Sequence, residues 1–177
     1  MGARSLGAAA LAQALLCGCV SVATETATAG ATIESSRAAD RAALRDLFDR
    51  FAILADANDV EGQMELFADG AVVTSRMNGT ETSRLSGKPE IAAAFSGFLA
   101  QFDTVFHQNG QHVVEVDGDR ATGTGYATVV LVGGAEDERR RTTMGVIYAD
   151  RYAKADGVWR IAERVSDFVW TEVEPAS

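Results

Sequence analysis

The stretch "VFHQNGQHVVEVDGDRATGTGY", Val105 to Tyr126, decides how the second half of this chain is read. Apolar and polar residues alternate on both sides of "DGD", so it reads as two antiparallel strands joined by a tight turn. In the second strand Ala121, Gly123, Gly125 and Ala127 share one face, and Thr122, Thr124, Tyr126 and Thr128 the other. A row of Gly and Ala either lets a helix approach closely or leaves a cavity, and its glycines permit sharp bending of the sheet. Both readings stay open at this point. The two histidines of the chain, His107 and His112, lie in the first strand. By parity Asn109 and Gln111 share the face of His107, while His112 points outward unless a bulge at Gly110 shifts the register.

Working outward, four strand-like runs follow Asp103: Val105 to Val116, Ala121 to Val132, Arg139 to Ala153, and Val158 to Val169. Their separators, "DGD", "GGAED" and "KADG", are short and turn-forming, which predicts an antiparallel meander. Upstream the period changes. From Ser36, with Ser35 or Ser36 as N-cap, Leu44, Leu47, Phe48, Phe51, Leu54 and Ala55 recur at helical spacing. "DAND" breaks that helix, and Asp59 can cap a short second one through Met64, Leu66 and Phe67. "AVVTSRM", "NGT" and "ETSRLSG" form a hairpin with an Asn-Gly turn. Pro89 opens a third helix whose stripe is Ile91, Phe95, Phe98, Leu99 and Phe102. Helices followed by a bent sheet make the fold class α+β.

Composition bounds the function. The chain has 177 residues, 23% of them charged, with a net charge of −9. That is one globular domain, and its acidic excess argues against nucleic acid or an anionic membrane as partner. Both cysteines, Cys17 and Cys19, fall at the N-terminus. No disulfide framework or Cys-ligated metal site is therefore available to the folded body. Residues 1–19 read as a secretory signal: one basic residue, Arg4, precedes an apolar run from Leu6 to Leu16 that is too short to span a bilayer. The run ends in Leu16-Cys17-Gly18-Cys19, which resembles a bacterial lipoprotein box with Cys19 as the acylated residue. An ordinary signal peptide cut near "TATAGA" is the alternative. Residues 20–35 read as a flexible tether, 36–173 as the domain and 174–177 as a tail. The working domain is expected to be exported, to the periplasm of a bacterium. It would meet a membrane only through a lipid anchor, each buried methylene contributing ~0.8 kcal/mol.

"HQNGQHVVEVDGDRATGTGY", "DANDVEGQMELFADGAVV" and "GVIYADRYAKADGVWRIAERVSDFVW" together resemble the SnoaL-like branch of the nuclear transport factor 2 superfamily, over about Ala39 to Val173. The resemblance implies a cone-shaped α+β barrel, its curved antiparallel or mixed sheet wrapped around the N-terminal helices, with a pocket at the open end. Within the superfamily the arrangement is similar to the group containing scytalone dehydratase and lindane dehydrochlorinase. Carried over residue by residue, that group's proton-abstracting histidine falls on His107 and its orienting aspartate on Asp56. The implied chemistry is elimination, dehydration or isomerisation with no cofactor and no metal. A histidine beside a carboxylate has a fixed tautomer and a pKa suited to proton transfer near neutrality. The chain departs from those enzymes at three places: Phe51 stands where the dehydrochlorinase has a lysine, Ala55 where the dehydratase has a tyrosine, and "VVLVGG" lacks a second active-site histidine. Neither specific substrate carries across.

Phe51, Asn109, Tyr126 and Tyr148 are the residues expected to contact a small apolar or aromatic substrate. Asp150 and Arg164 fit as strand-pair charges, and Trp159 and Trp170 as core or rim anchors. Periodicity alone points Asp56 away from the apolar stripe, so Asp56 and Asp59 also read simply as end-of-helix and N-cap residues. His107 reads equally as a strand-start histidine bonded to backbone. Three functions therefore stand side by side: a small exported lyase or isomerase, a non-catalytic binding module for a small molecule, and an interaction domain forming a homodimer or higher homo-oligomer.

Overall fold

The computed structural model describes residues 18–176, with side chains from Glu34 onward. The signal run through Cys17 lies outside the described residues, as does the side chain of Cys19. The chain divides into two units, Met1–Ala38 and Ala39–Ser177; the functional architecture belongs to the second. Helix α1 runs Gly18–Asp56, so it starts well before Ser36, and neither Ser35 nor Ser36 caps it. Residues 20–35, expected as a flexible tether, are helical throughout. They contain no proline and a single glycine, Gly30. Low hydrophobicity does not by itself argue against a helix.

In the second unit α1 buries Leu44, Leu47, Phe48, Phe51, Ala52 and Ala55. It ends in a Schellman motif: Asp59 N–H donates to the Leu54 carbonyl (2.9 Å) and Asn58 N–H to that of Ala55 (3.0 Å). Asn58 takes the left-handed conformation this demands, at φ 55°. Asp59 then caps α2 (Val60–Glu65), accepting from Gly62 N–H at 2.8 Å. Strands β1 (Phe67–Met77) and β2 (Thr80–Ser86) form the expected hairpin. Asn78 and Gly79 supply the two positive φ angles, 50° and 80°. Helix α3 (Lys88–Leu99) crosses to the far edge of the sheet, where β3 (Thr104–Asp117), β4 (Arg120–Gly133), β5 (Arg140–Ala155) and β6 (Val158–Pro175) make the meander.

The six strands lie in the order β2-β1-β6-β5-β4-β3, antiparallel except for the parallel β1–β6 pair. The sheet is mixed and not closed, with β2 and β3 as its free edges. β6 runs past the expected end of the domain: Glu174 pairs with Arg141 and Pro175 with Arg140, so half of the expected tail is strand. The Arg141–Glu174 ion pair secures it.

The small-residue row of β4 is where α1 comes close. A Cβ on Gly125 would lie 2.4 Å from Phe48 Cζ, and one on Gly123 2.9 Å from Tyr152 Cε2. The volume missing from these residues is thus filled by Phe48, His112 and Tyr152, so of the two readings of the row close packing is the one that holds at Gly123 and Gly125. Gly125→Val should lower stability by about 1–3 kcal/mol, read as a shifted urea midpoint at constant m-value. An unchanged midpoint would contradict the close packing.

His112 does not point outward. The β3–β4 ladder is interrupted between Asn109 and His112, and this bulge at Gly110 and Gln111 flips the parity of everything after it. His112 therefore faces inward, stacked on Phe48 with ring centroids 4.4 Å apart and planes 7° from parallel. Gln111, on the bulge itself, is exposed instead of sharing the face of His107.

Candidate active site

Asp56 is the last residue of α1. A carboxylate there faces the negative end of the helix dipole, an unfavourable placement by ~0.3–1 kcal/mol. Its partners explain why it is tolerated. β3 is an edge strand, and the His107 N–H donates to both carboxylate oxygens of Asp56, at 3.0 and 3.1 Å. The His107 ring closes the contact, with Nδ1 2.7 Å from Asp56 Oδ1. Asp56 reaches β3 because it lies on the flank of the helix that carries Phe48 and Ala52, eight and four residues back. That flank, at the edge of the apolar stripe, looks at β3: Phe48 meets His112, and Asp56 meets His107.

The imidazole side chain is 9% exposed and the Asp56 carboxylate 27%. Burial pulls the His107 pKa below its usual value; the hydrogen bond that the ring donates to Asp56 and the charge of that carboxylate oppose this, and Arg164 adds to the lowering. Burial wins, so His107 is neutral at pH 7. A carboxylate only accepts, so the proton of the neutral ring sits on Nδ1, and Nε2 carries the lone pair. Nε2 has no hydrogen-bond partner among the described residues.

His107 lines a cavity of about 350 Å³ between α3 and the inner face of the sheet. Phe51, Phe95, Phe98, Phe168 and Tyr148 give it aromatic walls, and Val129, Leu131 and Met144 close the side toward β4 and β5. Of the expected substrate contacts, Phe51 and Tyr148 line it. Burial pushes the Tyr148 hydroxyl up to about 12, so it stays a neutral phenol. Asn109 and Tyr126 do not join the cavity. Asn109 Nδ2 donates to the Phe48 carbonyl (3.3 Å) and to Asp49 Oδ1 (3.0 Å), tying β3 to α1. Tyr126 is 47% exposed on the outer face of β4, because in that strand only the odd-numbered positions point inward.

Beneath the cavity lies a buried charge network. Arg164 makes a bidentate pair with Asp150, Nε to Oδ1 at 2.8 Å and Nη2 to Oδ2 at 2.6 Å. The two face each other across β5 and β6, as strand-pair charges should. Tyr152 donates to Asp150 at 2.8 Å, and its hydroxyl is 3.2 Å from His112 Nε2. The Arg164 guanidinium lies over the Phe51 and Tyr148 rings, 4.1 and 4.6 Å from their centroids. Burial opposes its charge, but Asp150 outweighs burial and holds its pKa above the usual value.

Among the described residues no group of three or more His, Cys, Asp or Glu side chains is placed to hold a metal ion. The lining residues that sequence reading left out of the site are mostly those it had placed in the core, such as Phe95, Phe98 and Leu99. An apolar stripe reads the same whether its far side is filled or empty.

The chain matches the SnoaL-like domain family over residues 36–165. It belongs to that family. A comparison with curated proteins found no match. Among solved structures, the SnoaL-like domain is similar to a type 2 hexachlorocyclohexane dehydrochlorinase, LinA, with a TM-score of 0.70 and 17% identity over 81% of this chain and 95% of that one. A scytalone dehydratase-like protein from Novosphingobium aromaticivorans gives a TM-score of 0.69 at 17% identity, over 81% of this chain and 93% of its own. A protein of Kribbella flavida gives 0.68 at 22% identity, over 77% and 95%. At such identities these likenesses establish the SnoaL-like fold.

Proposed function

We propose that this SnoaL-like domain is a cofactor-independent lyase or isomerase that removes a proton from a carbon atom of a small, largely apolar molecule. The observation that carries the reading is the His107–Asp56 dyad set in the wall of an aromatic cavity. Nε2 of His107 takes the proton, and the imidazolium so formed is stabilised by Asp56 at 2.7 Å. The electron pair left on carbon either forms a double bond as a leaving group departs from the neighbouring carbon, or is reprotonated elsewhere by the same imidazolium. If hydroxide departs, the imidazolium proton converts it to water and regenerates the base. The low polarity of the cavity strengthens the dyad's electrostatic contribution.

The test is exchange of carbon-bound hydrogen for deuterium in D2O, followed by NMR over a panel of cyclic ketones and β-hydroxy ketones. Exchange or elimination that depends on His107 is expected; binding without either would leave the domain as a non-catalytic ligand carrier.

The pH dependence has a fixed sign. Because the His107 pKa lies below 6.5, the base form persists down to that pH. The acid limb of kcat/KM should fall below pH 6.5 and the profile stay flat from there to pH 8. A limb centred above 7 would exclude His107 in this state as the base. Stability follows the same group: the unfolded chain binds the proton more readily, so stability falls as pH drops from 6.5 toward the folded pKa.

Self-association is the second part of the proposal. Phe106, Tyr126 and Trp170, on the outer face of β3, β4 and β6, are 52%, 47% and 46% exposed. Large exposed aromatic side chains on one sheet face fit a second copy of the chain. Light scattering on the mature domain should give at least a dimer mass, and Tyr126→Glu with Trp170→Glu a monomer; a monomeric parent protein would refute it.

A further inference from the structure

Three asparagines occur in the chain, and two of them precede glycine: Asn78-Gly79 and Asn109-Gly110. A glycine has no Cβ to shield its backbone nitrogen. In an unfolded chain both pairs are therefore open to the same reaction, attack of that nitrogen on the asparagine side chain. The fold treats them differently. Asn109 is half-buried in β3, and its backbone is paired with Ala127 across the ladder. Its carboxamide is pinned by the bonds to the Phe48 carbonyl and Asp49 Oδ1, which keep the carbon that would be attacked away from Gly110. Asn78 is exposed at the tip of the β1–β2 hairpin. What is held there is the attacking group: the Gly79 N–H donates to Asp167 Oδ1 at 3.0 Å. The Asn78 N–H donates to the Phe168 carbonyl at 3.1 Å, so β6 fastens both residues of the turn.

We propose that Asn78 is the site at which this protein spontaneously loses ammonia, and that Asp167 sets the rate. Hydroxide takes the Gly79 amide proton, and the nitrogen lone pair forms a bond to Asn78 Cγ. The Cγ–Nδ2 bond breaks, and that nitrogen leaves as ammonia with a proton from water. Water then opens the cyclic imide at either carbonyl, leaving aspartate or isoaspartate at position 78. Asp167 opposes the first step in two ways. Its carboxylate accepts a hydrogen bond from the proton that has to leave, and its negative charge disfavours the amide anion 3.0 Å away. It is no base for the step, because a carboxylate is far too weak to take a proton from an amide. Reaction at Asn78 would fall on the cavity wall. Met77 and Phe168 are register partners beside the turn, and both line the cavity. Isoaspartate adds a backbone methylene to a two-residue turn whose φ angles of 50° and 80° match a tight hairpin.

The test is peptide mapping by mass spectrometry during incubation in mildly alkaline buffer, following the gain of one mass unit at each asparagine. In concentrated urea Asn78 and Asn109 should convert at similar rates, which sets the rate of the unprotected pairs. In the folded wild type both should slow, with Asn78 the faster of the two. Asp167→Ala should speed conversion at Asn78 about tenfold, the worth of one charge-assisted hydrogen bond, and leave Asn109 as it was. Faster conversion at Asn109 than at Asn78 in the folded wild type would overturn the assignment of the site. An Asn78 rate that Asp167→Ala leaves unchanged or lowers would overturn the role of Asp167. If both sites accelerate together, the variant has loosened the fold as a whole. Asp167→Asn, which keeps an acceptor and loses only the charge, must then speed Asn78 alone, or the inference fails.

Discussion

Replacing Asp150 with alanine is expected to destabilise the domain by about 3–5 kcal/mol, a large share of the total stability of a domain this size. Asp150 and Arg164 side chains are 2% and 1% exposed. Removing the carboxylate leaves a buried guanidinium with no counter-charge. It also strips Tyr152 of its acceptor and opens a gap under the Phe51 and Tyr148 rings. Because the cost comes mainly from the charge left behind, removing both partners should be far milder. An Asp150→Leu/Arg164→Met double variant should recover most of the loss, since apolar replacements of buried ion pairs are often neutral. Urea unfolding of the wild type, the single and the double variants decides it. If single and double lose the same stability, packing rather than charge is what the pair provides.

The second large effect falls on turnover. His107→Gln should reduce exchange or elimination by about 10²–10⁴-fold, because glutamine keeps a similar size and polarity but cannot take a proton. Ligand affinity should change little. Asp56→Asn should act in the same direction through the ring's tautomer: a neutral amide no longer demands a hydrogen on Nδ1, and the lone pair is no longer held on Nε2. Stability should barely respond to this change, since the lost contacts to His107 are offset by removing a negative charge from a helix C-terminus. An Asp56→Asn protein that retains full turnover would show that the 2.7 Å contact serves structure alone. One with lost turnover and an unchanged urea midpoint separates catalysis from folding.

Much of the fold is written in local pattern. The Asn78-Gly79 turn, Asp59 as an N-cap, Pro89 at a helix start and the "DGD" hairpin each follow from backbone chemistry within a few residues, and each appears where it is expected. The pairing of β1 with β6 is different. It is parallel and joins strands about ninety residues apart in the chain, and nothing in either segment names the other. The row of Gly and Ala in β4 announced missing volume, but only the position of Phe48 shows that the helix fills it.

The site divides in the same way. His107 and Asp56 are linked by resemblance to a family, whereas helical periodicity alone points Asp56 away from the centre of the stripe. Asp56 continues the row of Phe48 and Ala52 at the stripe's edge, and that edge is the flank that faces β3. His112 turns inward through the bulge at Gly110, the one condition under which strand parity allows it. Tyr126 was a candidate by residue type and was placed outside by its even position in β4. Ser75, Ser83 and Ser166 line the cavity and carried no signal, because a serine in a strand is unremarkable until its neighbours across the ladder are known. The sequence by itself determined the elements, their order and the residues capable of proton transfer, since these depend on contacts within a few residues along the chain. Only the tertiary structure decided which of those residues meet, where the empty volume lies and which hydroxyls face it, because those depend on register between strands distant in sequence.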